Sequence, residues 1–317
     1  MKVLVAGATG TIGVPLVRAL VAGGHHVYGL TRDPGKRQLL TTLGAEPIIA
    51  DAMDRVALLA AVDKLTADAV VHQLTALKKP PVRHRDMAQT NVLRTSGTAN
   101  LLEAAGILGA HRFVTQSMVF GYGYGDHGRK HITEDDPFGR PGCGRFEQHL
   151  AAMRSAEGQA MTTDGIHGVA LRYGLFYGPG AAIQGLIEQP RSRRLPVPQG
   201  GGGTMSWIYI DDAAAATVAA LEHGRAGHAY NVVDDEPVRW REFLNTLAQA
   251  INAPPPRTVP GWLLALAPYG AAIMTSTLRV SNAKARADLC WEPTMPNYRD
   301  GIARIARTLT APSQQTP

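Results

Sequence analysis

Lys2-Val3-Leu4-Val5-Ala6-Gly7-Ala8-Thr9-Gly10-Thr11-Ile12-Gly13 stands one residue inside the start of the chain. Val3 to Ala6 is an unbroken apolar run, as expected of a strand covered on both faces. Glycines at 7, 10 and 13 follow at once and lead into an apolar helical pattern from Ile12 to Ala22. Each glycine has its own task in this order. The first permits a tight turn, the second lets backbone approach a ligand, and the third lets helix and strand pack closely. Outward from this stretch, short β-type runs recur at Lys2–Ala6, His26–Thr31, Glu46–Ile49, Ala69–Val71, Arg112–Thr115 and Val169–Tyr173. Helical patterns near Ile12–Ala22, Arg55–Leu65, Asn91–Ala105 and Gly144–Met161 lie between them. Such alternation predicts parallel strands joined by right-handed helical crossovers.

The fold class that follows is α/β, a Rossmann-type doubly wound parallel sheet with a smaller C-terminal lobe. We place the dinucleotide-binding domain at residues 1–177. Residues 178–310 are expected to form mainly a substrate-binding lobe, with some elements returning to the sheet, and 311–317 a frayed tail. The change comes after Tyr177-Gly178-Pro179-Gly180, where glycine and proline cluster at 196–203 and again at 254–260. An apolar stretch from Trp262 to Met274 is shorter than a membrane span and contains Pro268 and Gly270. We read it as lobe packing or a substrate lid.

The glycine loop implies a dinucleotide whose pyrophosphate meets the helix N-terminus. Gly7, Thr9, Gly10, Thr11, Ile12 and Gly13 are its candidate contacts. The end of the second strand chooses the cofactor. An acidic residue there binds a ribose 2′-hydroxyl, and an arginine accommodates a 2′-phosphate. This chain reads Thr31-Arg32-Asp33-Pro34-Gly35-Lys36-Arg37. Arg32, with Lys36 and Arg37 behind it, favours NADP(H) over NAD(H), unless all three are simply solvated. Asp33, beside Pro34, fits a helix N-cap.

Composition narrows the remaining classes. The chain has 317 residues, 45% hydrophobic and 18% charged, enough for a full α/β core and not a disordered composition. A net charge of +6 suits an anionic small ligand, and Arg191, Arg193 and Arg194 could contact one. No basic helix, metal-ligand spacing or basic-aromatic stripe argues for nucleic acid or a metal. Two cysteines, Cys143 and Cys290, make no disulfide framework, and the N-terminus lacks a signal-type apolar region. The expectation is a cytoplasmic protein acting on a small molecule, without membrane or nucleic-acid partners and compatible with a homodimer.

By these residues the chain resembles the extended, atypical branch of the short-chain dehydrogenase/reductase superfamily, the NAD(P)-dependent epimerase/dehydratase-like proteins. The resemblance runs through nearly the whole chain. It implies that Asp51 and Ala52 meet the adenine, and that Leu74, Thr75 and Ala76, after the strand Val70-Val71-His72-Gln73, meet the riboses. Asn91 opens the helix that steadies the sheet in the family. Tyr173 in Leu171-Arg172-Tyr173-Gly174, and Phe176 before Tyr177-Gly178-Pro179-Gly180, match the motif near the nicotinamide. Trp207-Ile208-Tyr209-Ile210-Asp211-Asp212, and Asn282–Trp291 followed by Pro293, match C-terminal signatures.

The family's catalytic tyrosine and the lysine four residues later are missing. Aligning Glu157 with the acidic residue that follows the motif puts His149 in the tyrosine's place and Met153 in the lysine's. The family serine falls on Gln116 when counted from Phe120-Gly121, and on Ser117 by residue type. Tyr122 and Tyr124, in the glycine-rich loop beyond, could supply the absent acid, with Asp126 and His127 close behind. His149 is a further acid/base candidate or a plain structural imidazole. Glu134-Asp135-Asp136-Pro137 resembles a family loop motif or is a solvated turn. Three functions stay open. They are an NADP-dependent oxidoreductase of a small carbonyl or alcohol, an epimerase, dehydratase, isomerase or cyclase that uses the cofactor internally, and an NADP-binding regulatory protein. A phenol without a lysine serves more readily as acid than as base, which favours reduction, or acid-assisted loss or rearrangement, over alcohol oxidation.

Overall fold

In the computed structural model, which describes residues 1–77, 79–179 and 196–310, each expected strand is present. They are Lys2–Ala6 (β1), His26–Thr31 (β2), Glu46–Ile49 (β3), Ala69–His72 (β4), Arg112–Met118 (β5) and His167–Tyr173 (β6), joined by His228–Val232 (β7). The spatial order is β7-β6-β5-β4-β1-β2-β3, and every pairing in it is parallel. The chain therefore winds one way from β1 to β3 and the other way from β4 to β7. The reversal opens a crevice beyond the carboxyl ends of β1 and β4, where ligands of such sheets bind.

Helices cover both faces. Gly13–Ala22 (α1) and, from the chain's second half, Ile210–His223 pack one face through Leu16, Val17, Leu20, Ala213 and Ala216 against Val3, Val5, Val114 and Leu171. Arg55–Val62 (α2), Thr98–Leu108 (α3) and Glu147–Thr162 (α4) cover the other, where Leu58, Leu101 and Ala160 meet Leu4, Val70 and Phe113. A further apolar cluster holds Trp207 stacked on Phe243, with ring centroids 3.8 Å apart. Burial on both faces accounts for the near-continuous apolar strands.

Several boundaries differ from the sequence reading. β5 runs past Thr115 to Met118, because Gln116, Ser117 and Met118 pair with Leu171, Arg172 and Tyr173 of β6. The segment expected as one helix over Asn91–Ala105 begins earlier, at Ala88, and Leu93–Gly97 forms a π-helical turn before α3. The fourth expected helix starts as a 3-10 turn, Gly144–Phe146, before α4. The Trp262–Met274 stretch splits into a 3-10 turn, Gly261–Leu266, and a helix, Pro268–Thr275, with proline in its first turn. No helix among the described residues is long and apolar enough to cross a membrane.

Candidate active site

The glycine loop sits at the reversal point. A Cβ on Gly7, whose φ is +90°, would lie 2.8 Å from the Gln73 carbonyl oxygen at the end of β4. One on Gly13 would lie 2.0 Å from the Gly7 carbonyl oxygen. Gly10 differs: its N–H closes the turn on Gly7, its Cβ would meet only the Gly7 carbonyl at 3.1 Å, and it is exposed with Thr11. α1 starts with no side-chain cap and no acidic residue in its first turn. The Val14 amide already donates to the Gly10 carbonyl at 3.1 Å, and the positive end of the helix still favours an anion. This cradle fits a dinucleotide pyrophosphate. Thr9 is half-buried, and Ile12 turns its side chain into the core.

Arg32 and Asp51 meet at 3.7 Å beyond β2 and β3, both well exposed. Such a pair is weak in water and easily exchanged for a ligand. Asp33 caps the 3-10 turn Pro34–Lys36, accepting from the Gly35 amide at 2.9 Å. Lys36 and Arg37 are exposed beside it. Asp51 also accepts from the Met53 amide, and the Ala52 carbonyl accepts from Asn100. Beyond β4, the Leu74 amide donates to His72 and the Ala76 amide to Thr90, while Thr75 is exposed. Tyr173 is sealed inside the core, where its hydroxyl accepts from Gln73 and pairs with Thr217. Phe176 leans on its ring and is half-buried. Arg191, Arg193, Arg194 and the 311–317 tail lie outside the described residues.

Adjacent positions on β5 diverge. Gln116 donates from Nε2 to the Leu74 carbonyl at 2.6 Å, which ties it to the β4 loop. Ser117 is 1% exposed, and its Oγ has no hydrogen-bond partner. Arg172, opposite Ser117 in register, grips Glu157 of α4 with Nε and Nη2 and donates from Nη1 to the Tyr122 hydroxyl. Tyr122 donates in turn to Asn231 Oδ1 at 2.7 Å, and burial pushes its pKa up to about 12. Glu134 accepts from the Asn231 amide, and burial raises its carboxyl pKa. Asp136 closes its own turn by accepting from the Thr133 amide. Asp126 and His127 are exposed.

Tyr124 takes a separate course. Its hydroxyl lies 2.8 Å from that of Tyr269, and its ring stacks on Phe146 at 4.2 Å. Burial and then Tyr269 raise its pKa well above the ordinary phenol value. Tyr269 rests edge-on against His149 at 5.0 Å and against His84 at 5.6 Å. His149 is fully buried, with Nδ1 2.9 Å from Asn91 Nδ2 and Nε2 2.9 Å from His84 Nδ1. With the Asn91 amide donating to Nδ1, the ring proton sits on Nε2 and is donated to His84. Burial, then His84 and then Arg94 lower the His149 pKa to about 4, so it is neutral near pH 7. Met153 is buried among Val119, Phe120 and Tyr122, and puts no charge where a lysine would stand.

Sequence reasoning missed His84, Phe146, Tyr269 and Arg94. His84 and Tyr269 reach the site from distant segments, while Phe146 stands just ahead of α4, three residues before His149. Arg94 carried a readable signal, because it falls on the same stripe as buried Thr98, Leu101, Ala105 and Leu108. A charged residue on a core-facing stripe asks for an explanation.

The model of the NAD-dependent epimerase/dehydratase family matches residues 3–233. The chain is 40% identical to a 3-diazoavenalumate denitrifying reductase from a Streptomyces species, over 96% of this chain and all of that protein. It is 32% identical to a 2-alkyl-3-oxoalkanoate reductase of Stenotrophomonas maltophilia, over 80% of this chain and 77% of that one. Among solved structures, UDP-glucose 4-epimerase of Thermus thermophilus with NAD superposes with a TM-score of 0.77 at 26% identity, covering 97% and 98% of the two chains. A human epimerase family protein with NADPH gives a TM-score of 0.77 at 23% identity, covering 97% and 99%.

Proposed function

Because this chain belongs to the NAD-dependent epimerase/dehydratase family, we propose that it is an NADPH-dependent reductase of a small electrophilic metabolite, with Tyr124 as proton donor. The observation that carries the reading is the Tyr124–Tyr269 hydroxyl pair at 2.8 Å, with methionine at the family's lysine position. A buried phenol with no ammonium beside it holds its proton at neutral pH, so it gives protons and does not take them. Two relatives whose names describe reductases support the direction. The oxo group and the diazo group in those names are both electrophilic centres that gain electrons on reduction.

When bound, the nicotinamide supplies the hydride. The chain does the rest. The Thr11 amide and the α1 N-terminus hold the pyrophosphate where Gly10 lets it approach, and Arg32, released from Asp51, binds the 2′-phosphate. The unpartnered Ser117 hydroxyl polarises the substrate, while Gln116 fixes the β4 loop beside it. Tyr124 O–H protonates the reduced substrate, and a proton from solvent replaces it through the Tyr269 hydroxyl. Of the two loop tyrosines, Tyr122 is committed to Arg172 and Asn231, and we assign it a supporting role.

The test is NADPH consumption against a panel of 3-oxo acids and diazo-arene acids, with products identified by mass spectrometry. Stoichiometric NADPH loss with a reduced product supports the reading. Conversion without net NADPH loss favours an internally redox epimerase or dehydratase. Tight NADPH binding with no turnover of any compound would favour a regulatory role.

A further inference from the structure

Arg94 has no use in the scheme above, yet it is 4% exposed. It sits on the π-helical turn Leu93–Gly97, which packs against α4, the helix that carries His149. Turns of this kind recur at functional sites. The turn is held by its backbone: the Leu93 carbonyl meets His72 Nε2 at 3.3 Å, Arg94 O accepts from Thr98, and Thr95 O accepts from Gln159. Among the described residues the guanidinium has no hydrogen-bond partner. Its Nε is buried without a partner, and its other nitrogens make no hydrogen bond to a described residue. Glu157, whose charge reaches it, is already engaged by Arg172. Its field also reaches Tyr124 and Tyr269. One turn earlier, Asn91 Oδ1 is a second buried polar atom without a partner.

An arginine stays charged at any physiological pH, and burying that charge without a counter-charge is costly. Such a residue persists where a ligand supplies the anion. Phe146, Tyr124, Tyr269 and His84 form a set of stacked and edge-on rings beside His149, on the helix this turn packs against. Flat aromatic walls suit a planar, conjugated body. We propose that Arg94 is the substrate-recognition residue, taking the carboxylate of an aromatic or conjugated organic acid whose planar body lies among Tyr124, Phe146 and Tyr269. This rests on reading the pocket as the substrate side of the reductase. The guanidinium fork matches a carboxylate in two parallel hydrogen bonds. A neutral amide of the same shape cannot replace it.

The probes are trans-cinnamate and its neutral analogue cinnamamide, titrated calorimetrically into the full chain with and without NADP+. Cinnamate should bind at least about tenfold more tightly than cinnamamide, about 1.4 kcal/mol. Arg94→Gln should erase that difference while NADPH affinity stays unchanged. Arg94→Met should lose cinnamate binding and raise the melting temperature, because an unpaired buried charge is removed. Equal binding of acid and amide, no cinnamate binding, or full cinnamate affinity in Arg94→Gln would each overturn the proposal. So would a lower melting temperature in Arg94→Met, which would mark a structural arginine. Failure of the reductase reading is seen separately, as absent NADPH consumption with the acid-over-amide preference intact.

Discussion

The hydroxyls of Tyr124 and Tyr269 lie 2.8 Å apart across 145 residues of sequence. One comes from the loop after β5, the other from the apolar stretch read as packing or a lid. Tyr269 is buried there while Trp262 and Leu266 of the same stretch are 73% and 70% exposed. If this pair delivers the proton, Tyr124→Phe should lower turnover by roughly 10²-fold or more with NADPH affinity unchanged, since general acids contribute on that scale. Tyr269→Phe should have a smaller effect. Tyr122→Phe should instead cost about 1–3 kcal/mol of stability, because it leaves buried Arg172 and Asn231 atoms unpaired. Steady-state kinetics beside urea unfolding separates these outcomes. A stable but inactive Tyr122→Phe, with Tyr124→Phe at full rate, would reverse the assignment. Full rate in both, with His149→Ala dead, would make the histidine the acid.

The glycine loop and its place in the sheet were legible because their signals are local. A glycine every third residue after an apolar strand, and a basic residue at the next strand end, need no knowledge of the rest of the chain. The end of β5 was less legible, because Gln116-Ser117-Met118 breaks the apolar run and only its pairing with β6 shows that the strand continues. His149 and Glu157 share α4, as their spacing implied, but the partners of His149, His84 and Asn91, lie 65 and 58 residues away. No window of sequence joins them. Arg94 was hidden by its charge, which suggests a solvated face until its spacing from Thr98 and Leu101 is counted.

Arg32 is the only basic side chain among the described residues that pairs with Asp51. A 2′-phosphate should draw Arg32 away from it, so NADPH should bind at least about tenfold more tightly than NADH, about 1.4 kcal/mol. Arg32→Ala should erase most of that preference and leave NADH binding near its parent value. Calorimetry with both cofactors checks this. Equal affinities in the parent chain would remove the case for NADP.

Two glycines of one loop should fail in different ways. Gly13→Val would drive a side chain against the Gly7 carbonyl, only 2.0 Å from the new Cβ, and should destabilise the fold severely. Gly10→Val meets far less, and should keep the circular dichroism spectrum while dinucleotide binding falls sharply. Unchanged binding in Gly10→Val would show that the pyrophosphate lies elsewhere.

Stability should also fall in mild acid, through two histidines. Burial is the largest cause lowering His72 and His149 to about 4 each. In the unfolded chain a histidine takes its proton near pH 6.5, so below that value the unfolded state binds more protons than the folded one. The stabilisation is complete above about pH 6.5 and is lost as pH falls toward 4. The slope should approach about 1.4 kcal/mol per pH unit for each histidine. Glu134, Asp211 and Asp234, raised by burial, act in the opposite sense, since protonation favours their folded forms. Substituting the histidines isolates their share. Urea unfolding between pH 6.5 and pH 5 should show a shallower slope in His149→Gln by about one proton, and a further loss in the double variant with His72→Gln. A parent slope unchanged by both substitutions would mean that neither imidazole is held neutral by the fold.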